Sequence, residues 1–126
     1  MRAAPRVAAV LVVSPTYHGV LSDVGALAAA CADAGVPLIV DEAHGAHIEF
    51  LPATAPLPPD WPRSSRARGA LCCGGELVVQ STHKTCGALT QAAMLHASDG
   101  ALARRGMAAA LDAALQQVQS LSLIHI

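Results

Sequence analysis

Two short apolar runs constrain this chain more than anything else in it. Val7 to Val13 and Pro37-Leu38-Ile39-Val40-Asp41 are continuous and rich in β-branched residues, and turn residues bound them: Ser14-Pro15 after the first, Gly35 before the second. Such short runs, with no polar alternation, read as strands buried on both faces. Between them Ser22 or Asp23 can cap a helix reaching about Asp33, with Val24, Leu27 and Cys31 on one face. Gly35 ends that helix and Pro37 follows it. Strand, helix, strand at this spacing is a βαβ unit, which implies parallel strands and a right-handed crossover.

A third strand is expected over Glu76 to Gln80, centred on Leu77-Val78-Val79, with Ser81 to Thr85 following as a polar turn. Ala92 to Ala97 reads as a fourth strand. Ala101 to Gln119, alanine-rich with Leu102, Ala109, Leu111 and Leu115, reads as a helix. Residues 51–69 hold five of the eight prolines and the basic run Arg63 to Arg68, the pattern of a surface loop or insertion. Residues 121–126 fit nothing before them and read as a tail foreign to the domain.

At 126 residues the chain is one small domain at most. Its formal charge of −1 argues against an electrostatic nucleic-acid binder. Leu, Ile, Val and Phe number 31 of 126, too many for a disordered chain. No uncharged apolar run approaches the roughly 18–20 residues that span a bilayer, so no membrane partner is expected. Alanine is 27 of 126 and aromatics 2%, which leaves few large core anchors; the chain reads as a piece of something larger. Met1 to Val13 has the outline of a signal or transit peptide, but no small-residue cleavage site precedes Ser14-Pro15-Thr16-Tyr17, and a strand is the preferred reading. Cys31, Cys72, Cys73 and Cys86 form no C-x-x-C pair and read as reduced thiols of an intracellular, cytoplasmic protein, with an organelle left open.

Two constellations can carry chemistry. Asp41-Glu42-Ala43-His44-Gly45-Ala46-His47 follows a buried strand directly, where open α/β sheets bind ligands. Its first four letters spell a helicase box, yet the phosphate loop such a box requires is missing from the sequence. A metal site from Asp41, His44, His47 and Glu49 has suitable ligand types but not the H-E-x-x-H spacing. The third reading makes Asp41 an acid facing a cationic ring nitrogen. The second constellation is Ser81-Thr82-His83-Lys84. Lys84 is either a solvated lysine or an amine that condenses with a carbonyl, which requires a pocket and an unprotonated amine. Ser81 and His83 could then donate to a phosphate. An acid at one strand end and a lysine at another is what pyridoxal phosphate (PLP) requires.

The stretch Val79-Gln80-Ser81-Thr82-His83-Lys84-Thr85-Cys86-Gly87-Ala88-Leu89-Thr90-Gln91-Ala92-Ala93 resembles the PLP attachment signature of the bacterial-type Orn/Lys/Arg decarboxylases, fold type I. Ser14-Pro15-Thr16-Tyr17-His18-Gly19 and Val40-Asp41-Glu42-Ala43-His44-Gly45-Ala46-His47 resemble the two motifs that precede it in that family. The resemblance covers about residues 7–50 and 70–120. It implies an α/β fold, part of a three-layer α/β/α sandwich of the aminotransferase-like large domain, with a mostly parallel sheet and one antiparallel strand. Lys84 is then the Schiff-base lysine and Asp41 the pyridinium partner. Ala43 packs on the ring, Ser81 and His83 bind the phosphate, Thr16 lies near the cofactor, and His44 lies near the substrate. No metal is implied. The implied reaction is decarboxylation of arginine, lysine or ornithine to a polyamine-pathway amine, in a homo-oligomer of two or more subunits.

Against the family pattern, the Pro-rich insert is long and Cys86 stands where leucine is common. A Gly-Ser/Thr phosphate loop, a ring-stacking residue and a carboxyl-terminal domain are not in the chain, so residues 1–120 read as a fragment of the PLP-binding domain, inactive alone. Another fold type I enzyme, an aminotransferase or aldolase, or a catalytically inactive α/β fragment, remain the alternatives.

Overall fold

In the computed structural model, residues 7–51, 68–104 and 106–118 are described. Four strands form one sheet in the order β1 (Val10–Val13), β2 (Leu38–Asp41), β3 (Leu77–Gln80), β4 (Met94–Ala97). β1, β2 and β3 are parallel, and β4 runs antiparallel to β3, as the family resemblance implied.

The βαβ unit forms for the reasons visible in the sequence. Asp23 caps α1 (Val24–Asp33), its carboxylate accepting the Ala26 N–H at 2.9 Å. At the other end Gly35 takes φ +65°, and the Gly35 and Val36 N–H groups close back on Ala32 and Cys31 carbonyls. That left-handed exit turns the chain into β2. Val24 and Cys31 are buried and Leu27 partly so, all against the sheet.

One face of the sheet carries the core. Leu38, Val40 and Val78 are fully buried there, with Val24, Cys31 and Ala70 packed on them. A fully buried valine is worth about 1.5–3 kcal/mol, so the two central valines anchor the fold. Ala70 belongs to a 3₁₀ turn, Ala70–Cys73, that lies beside α1 on this face.

The opposite face corrects the expectation for the first strand. Leu11 is 67% and Val13 45% exposed, so β1 is covered on one side only. It is shorter than the apolar run, because Val7 to Ala9 lie outside the ladder. Val79 and Leu95 continue this open face. Among the described residues no helix packs over it, so the layers seen here are a sheet and one helical side.

Two further expectations are refined. Residues 82–85 form a single helical turn, α2 (Thr82–Thr85), where a polar turn was expected. The expected helix over 101–119 is two helices, α3 (Asp99–Leu102) and α4 (Met107–Val118). Ser98 starts the first by accepting the Ala101 N–H at 3.1 Å, and Gly106 at φ +77° lies just ahead of the second. Arg104, between the two helices, pairs with Glu76 just before β3. The fourth strand covers Met94–Ala97, shorter at its start than expected. Most of the Pro-rich loop and all of residues 121–126 lie outside the described residues.

Candidate active site

The carboxyl ends of β2 and β3 are neighbours, and the two predicted constellations leave from them. Asp41 is the last residue of β2 and pairs in register with Val79. Its Oδ1 accepts the Ala43 N–H at 3.0 Å, a local turn that stops the strand and fixes the half-buried carboxylate at the sheet edge. Ala43 and His44 are half-buried in the same turn.

The loop after β1 arrives over this edge. The Ser14 N–H donates to the Asp41 carbonyl at 3.0 Å, and the buried Ser14 hydroxyl accepts the Ser22 N–H at 3.0 Å. Thr16 folds the loop on itself: its N–H reaches the Val20 carbonyl at 2.8 Å and its Oγ1 accepts the Val20 N–H at 3.2 Å. The Thr16 O–H remains free to donate elsewhere. Tyr17 presents its ring to His44 edge-on, with centroids 5.3 Å apart and an interplanar angle of 85°. Gly45 has to be glycine for this crossing. A Cβ there would sit 2.5 Å from Pro15 Cδ and 2.6 Å from Glu42 Cγ.

On the β3 side, Ser81 stands at the amino end of α2, half-buried, and its hydroxyl makes no capping bond. The Lys84 N–H donates to the Ser81 carbonyl at 3.1 Å, and the residue is exposed at the open edge. His83 is more committed than its expected phosphate role suggests. Its Nδ1 lies 2.7 Å from the Ala92 carbonyl and 3.2 Å from the Ala92 N, so the ring clips the 86–91 loop back onto α2. Only Nε2 is left for an anion. The structure thus brings Asp41, Ala43, His44 and Thr16 to one strand end, and Ser81, His83 and Lys84 to the adjacent one. Among the described residues no three His, Cys, Asp or Glu side chains converge as a metal ion would require.

Sequence reasoning missed Glu42. It is 2% exposed, and both oxygens are used. Oε1 accepts the Ala70 N–H at 2.9 Å, and Oε2 accepts Gln80 Nε2–H at 2.6 Å. Strand alternation was the available signal: if Asp41 faces the site, its neighbour faces the core, and a buried carboxylate must find donors. Glu49 acts beside it, taking the Gly69 N–H at 2.7 Å and the Cys72 thiol at 3.3 Å.

Burial pushes the Glu42 carboxyl above its ordinary 4.5; the Gln80 and Ala70 hydrogen bonds oppose this, the Glu49 charge adds to it, and His96 opposes it. The folded state therefore holds the proton more tightly than the unfolded chain. Its contribution to stability is complete below 4.5 and is lost as pH rises through the folded-state value. Glu42→Gln is expected to flatten that decline. Urea unfolding of the intact protein should show the variant gaining on wild type as pH rises above 4.5; parallel pH curves would contradict this.

Comparison with known proteins identifies the family. The chain matches the major domain of Orn/Lys/Arg decarboxylases over residues 2–123. It belongs to that family. It is 35% identical over 91 residues to an arginine decarboxylase of Halalkalibacterium halodurans, covering 72% of this chain and 16% of that protein. An arginine decarboxylase of Bacillus subtilis is 33% identical over 91 residues, again 72% of this chain and 16% of the relative. The chain thus spans about a sixth of the length of these curated relatives. No helix among the described residues is long and apolar enough to cross a membrane.

Proposed function

We propose that this domain binds PLP and serves the decarboxylation of a basic amino acid: arginine, lysine or ornithine. The observation that supports this is that Asp41 ends β2 while Lys84 lies in the helical turn directly after β3, the adjacent parallel strand, at the same edge of the sheet. The donor set fits the cofactor. Lys84, the only lysine in the chain, would hold it covalently through its amine. Asp41 would keep the pyridine nitrogen protonated, and Ala43 offers a small surface against the ring. The uncommitted Ser81 hydroxyl and His83 Nε2 would donate to the phosphate, and the Thr16 O–H lies on the loop over the same edge. When bound, PLP supplies a sink for the electron pair left on the α-carbon as CO2 departs.

His44, edge-on to the Tyr17 ring and three residues after Asp41, would meet the substrate. Two relatives bear the name arginine decarboxylase, so arginine is the substrate to test first. The reading also takes the protein as an intracellular homo-oligomer that makes a polyamine-pathway amine. Supplied with PLP, the intact protein is expected to release CO2 from one of the three amino acids. Borohydride should fix the cofactor to the peptide containing Lys84. No CO2 from any of them, with the label elsewhere or missing, overturns the proposal.

A further inference from the structure

Three hydrogen bonds on the covered face of the sheet run in one direction. Gln80 Oε1 lies 3.0 Å from His96 Nε2, which must therefore carry the proton and donate it. Gln80 Nε2–H donates to Glu42 Oε2 at 2.6 Å, and the Ala70 N–H donates to Glu42 Oε1 at 2.9 Å. Every donor points toward one buried carboxylate. The groups it joins are far apart in the chain. Glu42 directly follows β2, its own N–H bonded to the Val79 carbonyl at 2.8 Å. Gln80 is the last residue of β3, directly before Ser81 and α2. His96 is on β4, opposite Val78, and Ala70 begins the stretch by which the chain returns from the Pro-rich insert.

We propose that Glu42 is a positioning residue of the active site, holding the carboxyl ends of β2 and β3 at a set separation and so fixing Asp41 relative to Lys84. This rests on the reading of those two residues as the PLP pair. Asp41 and Glu42 are consecutive, so any shift of the Glu42 side chain is transmitted to the Asp41 backbone. Gln80 and Lys84 are joined by one helical turn, whose Lys84 N–H is bonded to the Ser81 carbonyl. The backbone bond from Glu42 to Val79 and the side-chain bond from Glu42 to Gln80 tie the same two strand ends twice. His96 keeps Gln80 from rotating away, because its N–H needs the Gln80 carbonyl oxygen. Gly45 packs against the Glu42 stem, where even a methyl group would collide, so the side chain has little room to move.

The test uses the polarity of the chain. Glu42→Gln sets an amide N–H against the Gln80 N–H, whereas Glu42→Gln with Gln80→Glu restores every bond with the carboxylate moved one position along. In the intact protein, Glu42→Gln is expected to retain PLP about tenfold less well after dialysis, the scale of one lost hydrogen bond to a charged group. Its visible PLP absorbance should shift in pH dependence. The double variant should recover retention to within about twofold of wild type, while Gln80→Glu alone, which sets its carboxylate against that of Glu42, should be the worst of the three. In cofactor-free protein, amide exchange at Glu42 and Lys84 should be about tenfold faster in Glu42→Gln and slow again in the double variant. Unchanged retention and exchange in Glu42→Gln, or a double variant no better than the singles, overturns the proposal. If wild type takes up no PLP, the functional reading fails. The exchange rates then decide alone whether Glu42 positions the two strand ends.

Discussion

Lys84→Ala in the intact protein is expected to eliminate borohydride-fixed cofactor from this domain and to lower the decarboxylation rate about 10³-fold or more, the scale on which covalent and proton-transfer groups contribute. The size of the effect follows from the absence of a substitute. Lys84 is the chain's only lysine, and the seven arginines stay protonated and cannot condense with an aldehyde. The residue is exposed in α2 and its backbone bond to Ser81 does not involve the side chain, so the fold should tolerate the change. Peptide mapping after reduction reads the label and CO2 release reads the rate. A variant within tenfold of wild type, or one still labelled in this segment, contradicts the assignment.

Asp41→Asn should separate charge from shape. An asparagine keeps an oxygen to accept the Ala43 N–H, so the turn at the end of β2 survives and the melting temperature should hardly move. What is lost is the negative charge facing a protonated ring nitrogen. Removing one electrostatic partner of this kind costs about 10²- to 10³-fold in rate. A rate within threefold of wild type in a protein that binds PLP normally would mean that another group serves the nitrogen. A large drop in melting temperature would mean that Asp41 is needed for the fold instead.

Much of this was legible in the chain. The runs around Val10 and Val40 read as strands, because each is short, branched and bounded by turn residues. Ser22 or Asp23 and Gly35 announced the ends of α1, since a cap and a left-handed exit are local requirements met within a few residues; the structure selects Asp23 as the cap. The two motifs that hold Asp41 and Lys84 were visible as residue types at strand ends. The parallel pairing of β1 and β2 followed from the βαβ spacing, and the antiparallel β4 came from the family resemblance; the pairing of Val12 with Val40 and of Val78 with His96 agrees with both.

Other features depend on what lies across space. An apolar run carries no information about which face will be covered, so Leu11 and Val13 were read as buried when only one side of β1 meets a helix. The glycine at 106 did not mark a helix break in advance, because glycine inside a helical pattern is often tolerated. His83 looked like a free donor until the fold brought Ala92 to its Nδ1. Glu42 is the clearest case. Its neighbour in the motif announced chemistry, but its own partners stand 28 and 38 residues away, and His96 joins through Gln80 from a fourth strand. Periodicity and caps are properties of a few adjacent residues, whereas satisfying a buried carboxylate takes donors that only the packed sheet brings within 3 Å.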